Sequence, residues 1–186
     1  MDFGRRGFSG GYVGLASHNC CRGGGSCSSC VGEAEESGRG ETVKPRQIRS
    51  PARERLWQRL SATWGVGGGY WHPLAEVPRR DVLALQAPHF NQALVAGGRL
   101  HAILAAHKVE RAFELREGGG AYEIRLADLD PVYTGDEGFW CSEAMDWVLY
   151  ASHENSLTVG GEWLIAAVKS AWPEWERHVW TTPFFQ

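Results

Sequence analysis

The residues of this chain best suited to chemistry are His153 and Glu154, which follow a strand-like run and stand between Ser152 and Ser156. An imidazole changes charge near neutral pH, so His153 paired with Glu154, or with Glu143 or Asp146 upstream, could act as the acid/base of a small hydrolase. The segment His153-Glu154-Asn155-Ser156 also has the composition of a hairpin turn whose side chains cap backbone groups, and this is the simpler reading. None of the compact catalytic motifs accompanies it: there is no GxSxG, no GxxxxGK[ST], no HExxH and no GxGxxG. Cys141, beside Trp140 in a strand-like run, reads as a buried thiol and not as a nucleophile.

A second set has the donor types of a metal site. Cys27 and Cys30 have the spacing of a zinc knuckle, and Cys20 or Cys21 with His18 could complete four ligands. The partner half lacks a standard spacing and no apolar mini-core surrounds it, so the expectation is a flexible cysteine cluster without zinc and a protein without a cofactor. His101 and His107, six apart, fall on different helix faces. The acids Asp128, Asp130, Asp136 and Glu137 lie in turn-rich connections but lack the D-x-D-x-D-G calcium loop.

The third set is suited to recognition. Asp136, Glu137, Glu143 and Asp146 accompany Tyr70, Trp71, Trp140 and Trp180, and interfaces concentrate Trp and Tyr while clustered acids steer a basic partner. Core packing would account for most of the nine tryptophans, leaving some for the surface.

These residues need elements to position them. Between Asp146 and Ser152 both alternating faces are apolar, which suits an inner strand; Leu157-Thr158-Val159 resumes β-type residues, giving a hairpin. After Gly160-Gly161, the residues Trp163, Leu164, Ala167, Val168 and Ala171 form one helical stripe that Pro173 ends. Val109–Arg116 and Tyr122–Leu126 alternate around Gly118-Gly119-Gly120 as a second hairpin, with Glu114, Arg116, Glu123 and Arg125 as potential cross-strand partners. Ser50 reads as an N-cap and Pro51 as the first residue of a helix carrying Leu56, Trp57, Leu60 and Trp64. Arg99–His107 reads as a further helix, and Asp81–Gln86 as a short strand.

The expected architecture is therefore one α+β domain at 50–186: an antiparallel sheet of four to six strands, with about three helices packed mainly on one face. Residues 1–49, rich in Gly, Ser, Arg and Cys, read as a disordered tail or as translation from an upstream start. A chain of 186 residues suits one sizeable core. No run of about 18 apolar residues is present, so no membrane span is expected. A secretory h-region is also missing, which points to the cytoplasm. Charge is uneven: Pro51–Val109 holds seven bases and three acids, whereas Glu110–Glu162 holds twelve acids and three bases. An acidic β-rich half argues against nucleic acid as a ligand. The function expected is that of a small bacterial non-catalytic module of the immunity or adaptor kind, with an acidic, aromatic surface for a basic protein; a hydrolase using His153 is the alternative.

Overall fold

The structure, a computed structural model, describes residues 44–67, 70–77 and 79–181. His18, Cys20, Cys21, Cys27 and Cys30, and with them the zinc reading, lie outside the described residues. All of the described residues belong to one compact unit, Thr42–Gln186.

Among the described residues, seven strands form one antiparallel sheet: β1 (Arg46–Gln47), β2 (Val82–Gln86), β3 (Arg111–Arg116), β4 (Ala121–Arg125), β5 (Gly138–Cys141), β6 (Val148–Ala151) and β7 (Ser156–Gly160). Their spatial order is β1-β4-β3-β5-β6-β7-β2, so β5 and β6 are inner strands and β1 and β2 are edges. Four α-helices accompany it: α1 (Ala52–Trp64), α2 (Ala87–Phe90), α3 (Arg99–Ala106) and α4 (Glu162–Ala171), with a π-helical segment over Asn91–Val95. The fold is α+β, as the periodicities imply. The extra strand is β1, whose Arg-Gln carries no apolar pattern. It is held by pairing with Tyr122 and Glu123 and lies ahead of Ser50.

Strand alternation divides the core in two. Ala112, Ile124, Trp140, Leu149, Ala151, Leu157 and Val159 face one side, where α2, the π-helical segment, α3 and α4 add Phe90, Leu94, Leu100, Leu104, Leu164 and Val168. Leu115, Ala121, Phe139, Cys141, Val148 and Tyr150 face the other, where α1 adds Leu56, Leu60 and Trp64. Helix α1 is thus the exception to helices on one face, and it is needed because β5 and β6 are apolar on both sides and each side must be covered. Burying each large side chain stabilises the fold by about 1.5–3 kcal/mol.

Helix α1 begins one residue later than its sequence suggests. Pro51 occupies the N-cap and the Ser50 hydroxyl goes to the Glu54 side chain instead of a backbone N–H. The turn from β7 into α4 depends on two glycines. A Cβ on Gly160 would lie 2.7 Å from Val148 Cγ1 and 2.9 Å from the Trp64 ring. Gly161 has φ 109°, and its Cβ would meet the Asp146 carbonyl at 2.6 Å, so any side chain there is both strained and obstructed. At the β2 edge, Leu85 bridges Val179 and the Trp180 amide donates to the Ala84 carbonyl at 3.0 Å.

Candidate functional site

Glu137 immediately precedes β5, on the same face of the sheet as Phe139 and Cys141, and is 2% exposed. A buried carboxylate must be paired or hydrogen-bonded. One of its oxygens, Oε1, accepts the His153 backbone N–H at 3.1 Å and also meets His153 Nδ1. Its other oxygen, Oε2, is buried with no protein partner among the described residues, as is the Tyr150 hydroxyl. Burial, and then Glu137, push the Tyr150 phenol far above its ordinary value.

His153 is presented by the β6–β7 turn. Ser152 N–H donates to the Ser156 carbonyl at 3.0 Å, the two hydroxyls meet at 2.7 Å, and Ser152 Oγ accepts the Glu154 N–H at 3.2 Å. Asn155 takes the left-handed conformation that Asn tolerates, with φ 55°. The turn is tied from outside by Ala87 N–H to the Asn155 carbonyl at 2.8 Å and by Trp180 Nε1 to the Glu154 carbonyl at 3.0 Å. Ser152 is 1% exposed and committed to the turn, so it is not an available nucleophile. The segment is thus a turn whose serine side chains bond within it, while the His153 ring is directed to Glu137.

The His153 ring stays 45% exposed, with Nε2 at 3.4 Å from Glu154 Oε1. The hydrogen bond that Glu137 accepts from its ring raises its pKa above the ordinary histidine value; the charges of Glu137, Glu154 and Glu117 act in the same direction, against partial desolvation. Two tyrosine rings flank it, Tyr70 at 6.2 Å and Tyr133 at 6.4 Å between centroids. They are the exposed large hydrophobics among the described residues, at 45% and 43%. Tyr133 comes from the loop before β5, where its hydroxyl donates to the Gly135 carbonyl at 2.9 Å. Exposed Asp136 packs against Gly118, and the neighbouring Glu117 N–H donates to the Glu137 carbonyl at 3.0 Å.

Glu143 and Asp146 stand elsewhere. They border the β5–β6 connection, at the opposite end of β6 from His153, roughly 20 Å away by strand rise. Asp146 is a loop staple there: it pairs with the Ser142 hydroxyl and accepts Trp163 Nε1 at 3.2 Å. His107 stacks on Trp163 at 4.1 Å, and these residues line a cleft of about 490 Å³ with Glu143, Lys108 and Arg111. The structure thus joins His153 with Glu154 and Glu137, and separates it from Asp146 and Glu143.

Two aromatic expectations are corrected. Trp71 is fully buried against Trp64 and Tyr150, with its Nε1 donating to the Trp64 carbonyl at 2.7 Å. Trp140 is fully buried in the face covered by α2–α4, with the Arg116 guanidinium 4.7 Å over its ring. Trp180 is half-buried, because its indole is used to hold the His153 turn. Glu137 is likewise a buried positioning group and not a surface acid. Tyr133 is the residue missed; its only sequence signal is an aromatic amid turn residues, which core packing would equally explain.

Cys141 is buried, and burial pushes its thiol up to about 12. Among the described residues no group of three or more His, Cys, Asp or Glu side chains is arranged to hold a metal ion. No helix among them is long and apolar enough to cross a membrane. Comparisons with protein-family models, with curated proteins and with solved structures find no match to this chain.

Proposed function

We propose that this chain is a non-catalytic binding module that receives a basic segment of a partner protein at the His153 end of the sheet. The observation that carries the reading is the position of Tyr70 and Tyr133, both exposed and both against the His153 ring. Tyrosine supplies large contact area at little cost in side-chain entropy, which suits it to anchor an interface. Glu117, Asp136 and Glu154 border this ground, and acids of one sign favour encounter with a cationic partner. The expected partner is a basic protein, and the compartment expected is the cytoplasm.

Affinity capture from the native organism with the full chain tests this reading, run in parallel with a Tyr70→Ala/Tyr133→Ala chain and washed at low and high salt. A stoichiometric basic protein, retained by the wild type, released by salt and lost with the double variant, supports it. Equal retention by both chains would refute it.

A second reading is favoured by one specific observation: Glu137 is buried and holds Nδ1 of a half-exposed histidine, whose Nε2 lies 3.4 Å from the Glu154 carboxylate. That is the arrangement by which a carboxylate fixes the tautomer and orientation of a general base. With Ser152 and Cys141 sealed, the group activated would be water. Turnover of an ester or phosphoester panel that disappears in His153→Gln and falls in Glu137→Gln would support this reading, and no turnover by the wild type would end it.

A further inference from the structure

Where α1 overhangs the β1 edge, two guanidinium groups of the helix and one of the strand stand around an apolar floor. Arg46, Arg55 and Arg59 surround Ile48, Leu56 and Phe113 in a cleft of about 290 Å³, and among the described residues no carboxylate lines it. Arg55 and Arg59 stand one helical turn apart on α1, so they project from the same side. Arg46 comes from β1, oriented by Glu123, which accepts its Nε at 2.7 Å.

Glu123 ion-pairs with Arg46 through Nε and Nη2 but does not itself line the cleft. Its second oxygen accepts Arg111 Nη1 at 2.8 Å, so one carboxylate is shared by two guanidinia. Those hydrogen bonds, from Arg46 first and Arg111 second, hold its carboxyl below the usual range. Arg59 donates to the backbone carbonyl of Glu143, and the Arg55 guanidinium makes no hydrogen bond among the described residues. A guanidinium carries about five N–H donors in a planar fork, so most of the donors around the cleft remain unused. Arg55 and Arg59 face the cleft with no carboxylate lining it among the described residues, and an oxyanion placed between them and Arg46 would add charge-assisted, bidentate hydrogen bonds.

The floor adds a second requirement. Leu56 is 7% exposed while Ile48 and Phe113 are half-buried, which leaves apolar area that an inorganic anion would not cover. The volume is at the small end for ligand clefts, which typically run about 300–1,000 Å³, so the body must be short.

We propose that this cleft binds a small anion whose carboxylate or phosphate engages Arg55, Arg59 and Arg46 while a short apolar body lies on Leu56, Ile48 and Phe113. This site is separate from the His153 end and does not depend on the reading proposed for it.

The test is a titration of the isotope-labelled full chain with phenyl phosphate, benzoate and inorganic phosphate, followed by backbone and arginine Nε NMR shifts. The expected result is saturable shifts confined to Arg46–Ile48, Ala52–Arg59 and Phe113, with inorganic phosphate at least about tenfold weaker than phenyl phosphate. Whichever of phenyl phosphate and benzoate binds tighter identifies the headgroup. Arg55→Gln/Arg59→Gln, both on the exposed side of α1, should weaken binding by about tenfold or more, and Tyr70→Ala/Tyr133→Ala should leave it unchanged. Absence of saturation by either organic probe at about 10 mM, shifts elsewhere in the chain, or equal binding by the arginine variant would overturn the proposal.

Discussion

The two ends of β6 use carboxylates in opposite ways. At the His153 end, Glu137 is sealed against the sheet and a histidine is hung on one of its oxygens. At the other end, Asp146 stays exposed and is used to fasten a loop, to Ser142 on one side and Trp163 on the other. In sequence the pairs Asp136/Glu137 and Glu143/Asp146 are alike, acids bracketing one short strand. The difference comes from register: Glu137 continues the side of β5 that α1 covers, whereas Asp146 lies in a loop before β6 begins. Burial converts an acid into a positioning device, because a desolvated carboxylate must fix its partners to remain charged.

The largest effect should separate the two ends by binding. Replacing Tyr70 and Tyr133 together by alanine is expected to weaken partner affinity by about 2–4 kcal/mol, roughly 30- to 1,000-fold, in equilibrium titration. Glu143→Lys with Asp146→Lys should change it by less than about threefold, since those residues are remote from the tyrosines. A larger effect from the lysines would move the interface to the cleft lined by His107 and Trp163.

Stability should show the same asymmetry with a smaller span. Glu137→Ala removes the acceptor of the His153 backbone N–H and leaves buried groups unpaired, which should cost about 2–3 kcal/mol in urea unfolding. Asp146→Ala loses only exposed bonds and should cost about 1 kcal/mol or less. Equal losses would mean that Glu137 is better hydrated than its surroundings indicate.

A weaker effect is expected from pH. His153 titrates in the folded chain above its unfolded value of about 6.5, so protonation favours the fold. That stabilisation is fully present below the unfolded pKa and is lost as pH rises through the folded one. An NMR titration of the His153 ring should therefore show a raised midpoint that Glu137→Gln returns toward the ordinary value. An unchanged midpoint would show that the ring does not rely on the buried carboxylate.

The smallest expected change lies on β5, opposite the start of β6. Cys141, whose thiol burial pushes up to about 12, should remain unmodified by iodoacetamide at pH 8 in the native chain. Peptide mapping should find it alkylated only after denaturation. Labelling of the native chain would mean that the α1 side of β5 opens.

Much of the fold was legible because its signals are local. The alternation of Tyr122, Ile124 and Leu126 around the glycine turn marks the β3–β4 hairpin, and the Leu164/Val168 stripe marks α4. The charges on that hairpin were readable in kind but not in pairing: Glu123 goes to Arg46 and Arg111, and Arg125 to Asp128. β1 was hidden because two polar residues form it through backbone pairing alone. The opposite placement of α1 was hidden because an apolar stripe does not say which side of the sheet it covers. At the candidate site, His153 was legible as a residue type, but its partner was not, since the contact with Glu137 joins positions 16 apart through the register of β5 on β6. Trp71 and Trp140 were misplaced because an aromatic in a loop or in a short strand apolar on both faces reads alike whether it points inward or outward.

The bridge from Leu85 to Val179 has a consequence for how copies of this protein meet. A five-residue outer strand such as β2 would otherwise offer a free ladder of N–H and C=O groups, which another chain can extend into an intermolecular sheet. Val179 and Trp180 occupy that ladder, with the Trp180 amide taking the Ala84 carbonyl. Val179 and Trp180 thus obstruct the middle of that edge for another strand, and the indole that helps to hold them there is the one fastened to the turn bearing His153.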